Sequence, residues 1–421
     1  MSSIVISAGI DFGTSNSALS IARGNGVELS VVEGENNNTL PSTVFYPAGG
    51  KVLFGRQAMQ AFIDGEEGRF MRSLKRILGT ALMGQGTIVN GKNMKFEDIL
   101  AGFIGCIKNR AELKLGQAIE NVVMGRPVHF IDGDAAADAR AQLELGKIAR
   151  AVGFKNVEFQ YEPIAAAFAH ERGITSERLA LVVDIGGGTS DFTVIRLSDK
   201  RKDIVDRTSD ILANAGVRIG GNDFDRDVSL KIFMPPLGYG TVVGDKKLPL
   251  PLGLFFDMSE WSKVNFLYTP KIREQVATLF RQAQDKKSFG RYAKVLKEET
   301  GHRILAVVEE SKISLTEKKE IRANLGFIEE GLEVKITRNM FDAAIEKDIS
   351  GISRAMMNCL LQAGIGREKI ELVILTGGTT EVPVLKNAIR KQFPQADISE
   401  ENKLSSVGIG LGYDSLRRFG A

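Results

Sequence analysis

The sequence predicts an α/β protein in which one layered unit is written twice. Three observations carry this. Residues 8–21, AGIDFGTSNSALSI, and 181–195, LVVDIGGGTSDFTVI, share one pattern: an apolar run, an aspartate, a Gly/Thr/Ser turn and a second apolar run, with Asp11 and Asp184 173 positions apart. Strand-like and helix-like segments alternate along the chain, which favours α/β layers over an all-helical bundle. At 421 residues the chain has room for two or more domains, given roughly 150 residues per domain.

In order, segments 4–10, 17–22 and 27–32 read as short strands separated by glycine and polar turns, and the extended polar stretch EGENNNTLPS follows. Helical spacing of apolar residues runs through 56–79, around Met71, Leu74, Ile77 and Leu78, and through 96–115, around Ile99, Phe103, Ile107 and Leu113. Residues 121–130 read as a buried strand that stops at or near Pro127. A helix over 134–152 follows with Asp134 as its cap. Next come a strand over 157–161 and a helix over 162–172 that opens with Pro163, tolerated there because the first turn has no use for its missing N–H. The pattern restarts at 179: strands flank the second glycine turn, and GGNDFDRDVSLKIF, 220–233, is a glycine turn opening a helix. Between 235 and 300 the texture changes. Five of the eleven prolines, a GYG and the single tryptophan, Trp261, lie there, so the stretch reads as an irregular insertion or small subdomain. A helix over 301–316, a strand over 332–337, a helix over 338–362, a strand–turn–helix over 371–393 and a terminal helix complete the chain.

Composition excludes several classes. Lys and Arg number 55 against 52 Asp and Glu. The net charge of +3 is too near balance to make nucleic acid or an anionic membrane the main partner. The cluster Lys200, Arg201 and Lys202 reads as a solvated loop. Cys106 and Cys359 have no metal-ligand spacing and make no disulfide framework, so both read as small buried apolar residues. No charged-then-apolar signal opens the chain. No apolar run reaches the roughly 18 residues a bilayer span needs; LPLPLGLFF, 248–256, is short and broken by Pro249 and Pro251. The expected setting is cytoplasmic. His129, His170 and His302 read as surface or satisfied core positions.

The two duplicated turns carry the chemistry. Glycine lets the backbone approach an anion and aim its N–H groups at it. Thr14, Ser15, Thr189 and Ser190 add hydroxyl donors. Asp11 and Asp184 stand at strand ends, where Mg²⁺ is held directly or through waters. Two such hairpins facing each other grip a polyphosphate from both sides. No GxxxxGK[ST] occurs, and no GxGxxG follows a strand and opens a helix, so neither a P-loop nor a dinucleotide Rossmann site is expected. A GxSxG nucleophile motif is also missing.

At this point the residues resemble a family. IDFGTSNS and DIGGGTSD look like the two phosphate loops of the actin-like ATPase superfamily. GGNDFD, 220–225, and LTGGTTEVP, 375–383, are similar to its nucleoside-side loops, and YEPIAAAFAH, 161–170, to its interlobe hinge. SLKRILG, 73–79, and VEESKISLT, 308–316, resemble the seventy-kilodalton heat-shock (heat shock protein 70) chaperones. The implied fold is two similar lobes of the actin-like ATPase (ribonuclease H-like) type, with smaller inserted subdomains and a central nucleotide cleft. Lobe I would span 1–178 with an insertion at about 38–112. Lobe II would span 179–421 with an insertion at about 226–316, and a C-terminal helix at about 404–418 would pack back toward lobe I.

The resemblance also implies roles. Lys75 matches the family's catalytic lysine beside the attacking water, and Asp11 and Asp184 the carboxylates around Mg²⁺ and its waters. Thr189 matches a hydroxyl at the γ-phosphate, Asp191 a carboxylate near the water, and Glu162 the acid that senses the nucleotide. Pro127 and Arg140 match the pair that relays nucleotide state outward. Gly13, Thr14, Ser15, Asn16, Gly186, Gly187 and Gly188 form the phosphate loops. Gly220, Gly221, Asn222, Gly377, Gly378 and Thr379 form the nucleoside loops, and Glu309, Lys312 and Thr316 the helix face lining adenosine, at spacings that share one helical side. Glu381 and Ile313 stand where relatives carry arginines stacked on adenine, so weaker nucleotide affinity is expected; Asn222 replaces a common acid.

The reading is therefore a chaperone-like ATPase that binds ATP or ADP with Mg²⁺, hydrolyses ATP slowly and uses nucleotide state as a conformational switch. Since the sequence stops at Ala421, short of the family's peptide-binding β-sandwich, a stand-alone nucleotide-binding domain is expected, a monomer with no nucleic acid or membrane partner and an unidentified protein partner. The alternatives are a bacterial actin-like filament protein, betrayed by ATP-dependent light scattering, and a small-molecule kinase of the same superfamily, betrayed by substrate-dependent ADP release. The kinase ranks last for want of a clear sugar-binding constellation, and Lys75 and Thr189 weigh against a sensor that binds ATP without cleaving it.

Overall fold

The duplicated phrase folds into a duplicated topology. In the computed structural model, which describes residues 6–131, 133–171, 174, 176–201, 204, 206–400 and 406–420, strands β1 (Ile6–Phe12), β2 (Asn16–Arg23) and β3 (Gly26–Leu29) form an antiparallel meander. A short β4 (Thr39–Pro41) also pairs with β2. Next in sequence come β5 (Thr43–Pro47), β6 (Leu53–Phe54), α1 (Arg56–Ile63), β7 (Gly68–Arg72), the hairpin β8 (Gly86–Val89)–β9 (Lys92–Lys95) and α2 (Phe96–Leu115). Then β10 (Asn121–Arg126), α3 (Ala135–Ala151) and β11 (Asn156–Tyr161) return to the first sheet, with β10 parallel to β1 and β11 parallel to β10. Helix α4 (Glu162–Glu171) leads to the second copy. There β12 (Arg178–Ile185), β13 (Ser190–Leu197) and β14 (Ile211–Val217) repeat the meander.

The chain then makes α5 (Gly221–Val228), the two-residue strands β15 (Val242–Val243) and β16 (Leu248–Pro249), α6 (Leu252–Met258), α7 (Pro270–Gln282), α8 (Lys286–Glu298) and α9 (Gly301–Glu317). The hairpin β17 (Glu320–Asn324)–β18 (Glu333–Thr337), α10 (Arg338–Ala344) and α11 (Glu346–Ala363) follow. Strand β19 (Leu372–Thr376), α12 (Pro383–Gln392), β20 (Asp397–Ser399) and α13 (Ser406–Phe419) close the chain. β19 runs parallel to β12 and β20 parallel to β19, so the two sheets, β3-β2-β1-β10-β11 and β14-β13-β12-β19-β20, have the same order and the same strand directions.

The described residues group into two compact units. One comprises residues 1–218, 354–380 and 389–421 and holds both sheets; the other comprises 219–353 and 381–388. In the first, α2 and α3 cover one face of the β1 sheet through Phe103, Ile107, Leu145 and Ile148 against Ile10, Phe12 and Val122. A second core joins the sheets: Ile164 and Ala165 of α4 and Leu411 of α13 meet Val123 of β10, Val182 of β12 and Ile374 of β19. The approach of α13 to α4 is so close that a Cβ on Gly410 would lie 1.7 Å from the Ala165 carbonyl oxygen, so only glycine fits. In the second unit, α5 and α11 meet at a buried Asp348 that faces Asp223, Asp227, Arg226 and Lys231. Burial, then repulsion from Asp227 and Asp223, raises Asp348 to about 6 against Arg226 and Lys231. A carboxyl raised in the fold contributes stability below its unfolded value of 3.8 and loses it as pH rises through about 6. Asp348→Asn should therefore be as stable as the parent in urea at pH 4 and more stable at pH 8.

Several sequence expectations are corrected. The helix expected over 56–79 ends at Ile63; Gly65 turns the chain with φ +81°, and 68–72 becomes β7, paired with β5. Residues 74–77 form one 3₁₀ turn that carries Lys75. The stretch 235–300 is not irregular: α6, α7 and α8 occupy much of it, and Pro270 starts α7 at a position where the missing N–H is harmless. The helix over 338–362 is two helices broken at Ile345. The helix over 220–233 passes from α5 into a π-helical turn at Ser229–Phe233. Cys359 is buried but Cys106 only partly, and neither is in a disulfide. Asp134 caps α3 as expected by accepting from the Ala137 N–H at 2.9 Å. Residues 4–5 of the first strand, Arg172 of α4's expected span, Lys202 and residues 404–405 lie outside the described residues.

Candidate nucleotide-binding site

Each duplicated turn is fixed by strand register. Asp11 pairs with Ala18 and Phe12 with Ser17, which leaves Gly13, Thr14 and Ser15 as the bend before Asn16. Asp184 pairs with Asp191 and Ile185 with Ser190, which leaves Gly186, Gly187, Gly188 and Thr189 as the second bend, closed by the Gly186 N–H to the Thr189 carbonyl at 3.0 Å. Both turns are braced from behind. Ser42 Oγ donates to the Gly13 carbonyl at 2.7 Å, and the Ser42 N–H to the Ser15 carbonyl at 2.8 Å. Thr379 Oγ1 donates to the Gly186 carbonyl at 2.8 Å. Gly377 takes φ +81°, and a Cβ there would lie 2.3 Å from the Ile185 carbonyl oxygen and 2.7 Å from Asp184 Oδ1, so glycine is required to bring this loop onto the second hairpin. Thr189 and Asn16 stay exposed, as does Gly378.

Charge converges beside these turns. Lys75 reaches Glu162, the first residue of α4, with Nζ 2.6 Å from Oε1, although 87 positions separate them. Only 9% of the Lys75 side chain and 13% of the Glu162 side chain is exposed. Burial works against the Lys75 charge, but Glu162, Asp11 and Asp184 outweigh it and hold its pKa above the usual 10.5. Asp11 is pushed up to about 7, first by burial and then by Glu162, with Lys75 opposing. Asp184 is raised well above the usual range by burial, then by Asp191, Glu162 and Asp11, again with Lys75 opposing. Asp11, Asp184 and Glu162 thus share the Lys75 ammonium, and Asp191 adds its repulsion to Asp184.

That surplus of negative charge fits a divalent cation. Among the described residues no three Asp, Glu, His or Cys groups are arranged to hold an ion directly. Ser15 Oγ is a buried hydroxyl with no hydrogen-bond partner among the described residues, so the first turn holds an unused polar group.

In the second unit, Gly220 caps α5 and its N–H donates to Asp223 Oδ2 at 2.9 Å, so Gly221 and Asn222 form the first turn of the helix. Lys312 on α9 donates to the Gly221 carbonyl at 3.2 Å and pairs with Asp225 at 2.6 Å. The structure therefore brings Lys312 to Gly221, with Glu309 and Thr316 three residues before and four after it on α9. Glu381 pairs with Lys386 at 2.9 Å, and Ile313 is 61% exposed.

A family description, Hsp70 protein, matches residues 7–87, 83–234 and 273–412. The chain belongs to the Hsp70 family. That family has the actin-like ATPase fold, which the paired sheets reproduce. The chain is similar to Chaperone protein DnaK of Thermotoga petrophila and to Chaperone protein DnaK of Thermotoga sp. (strain RQ2), 26% identical to each over 412 residues. The match takes in 96% of this chain and 58% of each relative, so the chain spans well under two thirds of their length. Among the described residues no helix is long and apolar enough to cross a membrane.

Some positions in this Hsp70-family chain were not legible from its motifs. Ser42 is one; its signal is the proximity of TLPS to β2, which only pairing reveals. Arg126 is another. Its guanidinium lies between the Phe130 and Tyr161 rings, 5.3 and 5.1 Å from their centroids, and pairs with Asp138 at 2.6 Å, next to Pro127 and one residue from Glu162 through Tyr161. Arg140 donates to the Gly79 carbonyl at 3.3 Å.

Proposed function

We propose that this chain is a chaperone-type ATPase. It binds Mg-ATP with the phosphates against the 13–16 and 186–189 turns, transfers the γ-phosphoryl group to water slowly, and changes conformation with nucleotide state. The observation that supports this most is the grouping of Asp11, Asp184 and Glu162 around buried Lys75, with Asp191 acting on Asp184, at two matched glycine turns. Asp11 and Asp184 would hold Mg²⁺, which would supply charge neutralisation at the phosphate oxygens. Lys75, steadied by Glu162, orients the attacking water; Asp191 stands near that water, and Thr189 offers its exposed hydroxyl to the γ-phosphate. Gly220, Gly221, Asn222, Glu309, Lys312 and Thr316, with Gly377, Gly378 and Thr379, take the nucleoside end on the strength of the family resemblance. The proposed setting is cytoplasmic, the proposed state a monomer, and the partner a protein that reads the switch.

Single-turnover hydrolysis of ATP tests this. One phosphate per chain should be released in the presence of Mg²⁺ and none after chelation, while no release at any Mg²⁺ concentration removes the activity. A proton linkage is also expected. Because Asp11 titrates at about 7 without nucleotide, cation binding displaces its proton, so Mg-ATP should bind more tightly as pH rises from 6 to 8. In the free protein the raised carboxyl contributes stability below 3.8 that is lost as pH rises through about 7. Asp11→Asn should therefore flatten the affinity profile in calorimetry and make the free protein more stable than the parent at pH 8.

A further inference from the structure

The net charge of +3 conceals an uneven distribution. Residues 235–303 hold twelve Lys and Arg against seven Asp and Glu, a net +5, which leaves the rest of the chain at 43 against 45, a net −2. Ten of the twelve basic residues are exposed. The same stretch carries four exposed large apolar side chains: Leu248 is 58% exposed, Leu252 51%, Phe256 39% and Phe266 71%. These are not displaced core residues. The inner side of α6 is complete without them, since Leu254, Phe255 and Met258 are buried and Phe255 packs on Tyr239, Phe289 and Tyr292. The 3₁₀ turn Val264–Tyr268 likewise buries Val264 and Leu267 and turns Phe266 out. Lys263, just before this turn, pairs with Asp257 of α6 at 4.0 Å and with Glu260 at 3.1 Å, so Leu252, Phe256 and Phe266 belong to one tied segment.

We propose that this subdomain docks on an anionic lipid surface. Basic side chains supply the long-range attraction to acidic headgroups. Leu248, Leu252, Phe256 and Phe266 then enter the boundary between headgroups and acyl chains, as the apolar face of an interfacial helix does. The residues come from a two-stranded ribbon, a seven-residue helix and a 3₁₀ turn, and project singly. A protein partner would need a socket matched to each, whereas a bilayer accepts apolar side chains without one. Whole-chain charge, which argued against a membrane partner, averages this asymmetry away.

The test uses the full chain without nucleotide, mixed with vesicles of phosphatidylcholine alone or with about 30% phosphatidylglycerol, a content that gives a strongly negative surface. The chain should sediment with the anionic vesicles only, and the emission of Trp261, the single tryptophan, which lies between α6 and the 3₁₀ turn, should shift to the blue. Phe256→Ser/Phe266→Ser, at exposed positions that leave the urea midpoint unchanged, should lower partitioning by about tenfold as two apolar anchors are lost. Lys246→Gln/Lys247→Gln should lower it and reduce its salt dependence. Absence of partitioning overturns the proposal. So does equal partitioning of the Phe256→Ser/Phe266→Ser variant and the parent, which would leave a purely electrostatic face suited to an acidic protein.

Discussion

Lys75→Ala should leave Mg-ATP bound while lowering single-turnover hydrolysis by about 10²–10³-fold, the usual scale for losing one preorganised group that stabilises developing charge. The expectation rests on where the ammonium sits. Among the described residues it is the cation that acts on both Asp11 and Asp184, and it is held 2.6 Å from Glu162 rather than in solvent. Most of the binding energy should come from backbone amides of the two turns and from the nucleoside contacts, so affinity should change little. A second consequence separates this role from a structural one. With the ammonium gone, Asp11 loses the charge that opposes its upward shift, so the pH at which Mg-ATP binding tightens should move upward. A variant that turns over ATP like the parent would show that Lys75 is only the buried partner of Glu162.

The second large effect concerns the far end of α4. Arg207 is 1% exposed and makes two bonds to Glu171, the last residue of α4, at 2.8 and 2.5 Å, and one to Asp210. Its guanidinium also lies over the Phe168 ring at 5.4 Å, with Arg417 on the same ring at 4.7 Å and paired with Asp414 of α13. Arg207→Ala removes the guanidinium from buried Glu171 and leaves Asp210 to Arg201, 2.6 Å away, and should cost about 3–5 kcal/mol of stability in chemical denaturation, because breaking a buried pair leaves charge uncompensated. Replacing the set together, Arg207→Met with Glu171→Gln and Asp210→Asn, should recover most of that loss. If Arg207→Ala unfolds at the parent's midpoint, α4 is not anchored this way.

What the sequence revealed and what it hid follow from the range of the interactions. The paired sheets were legible because each carries its own local signal, an apolar run, an Asp and a glycine bend at one offset. The segment 56–79 misled because Met71, Leu74, Ile77 and Leu78 satisfy a helical period, while pairing of 68–72 with β5 decides for a strand. The insertion misled in the other direction. Its prolines suggested irregularity, yet Pro270 sits at a helix start, and the amphipathic faces of α7 and α8 bury Val276, Phe289 and Tyr292. In the site, Asp11 and Asp184 could be picked out by spacing, but the Lys75–Glu162 pair and the Arg207 cluster join positions 87 and 36 apart, and no local period encodes them.

The central claim is that the two bends hold one triphosphate together. Hydrogen exchange of the backbone amides of Gly13, Thr14, Ser15 and Asn16 and of Gly186, Gly187, Gly188 and Thr189, with and without Mg-ATP, tests it most directly. Both sets should slow together, at the same nucleotide concentration, because one ligand accepts from both. Protection of one bend alone, or of neither at saturating Mg-ATP, would contradict it.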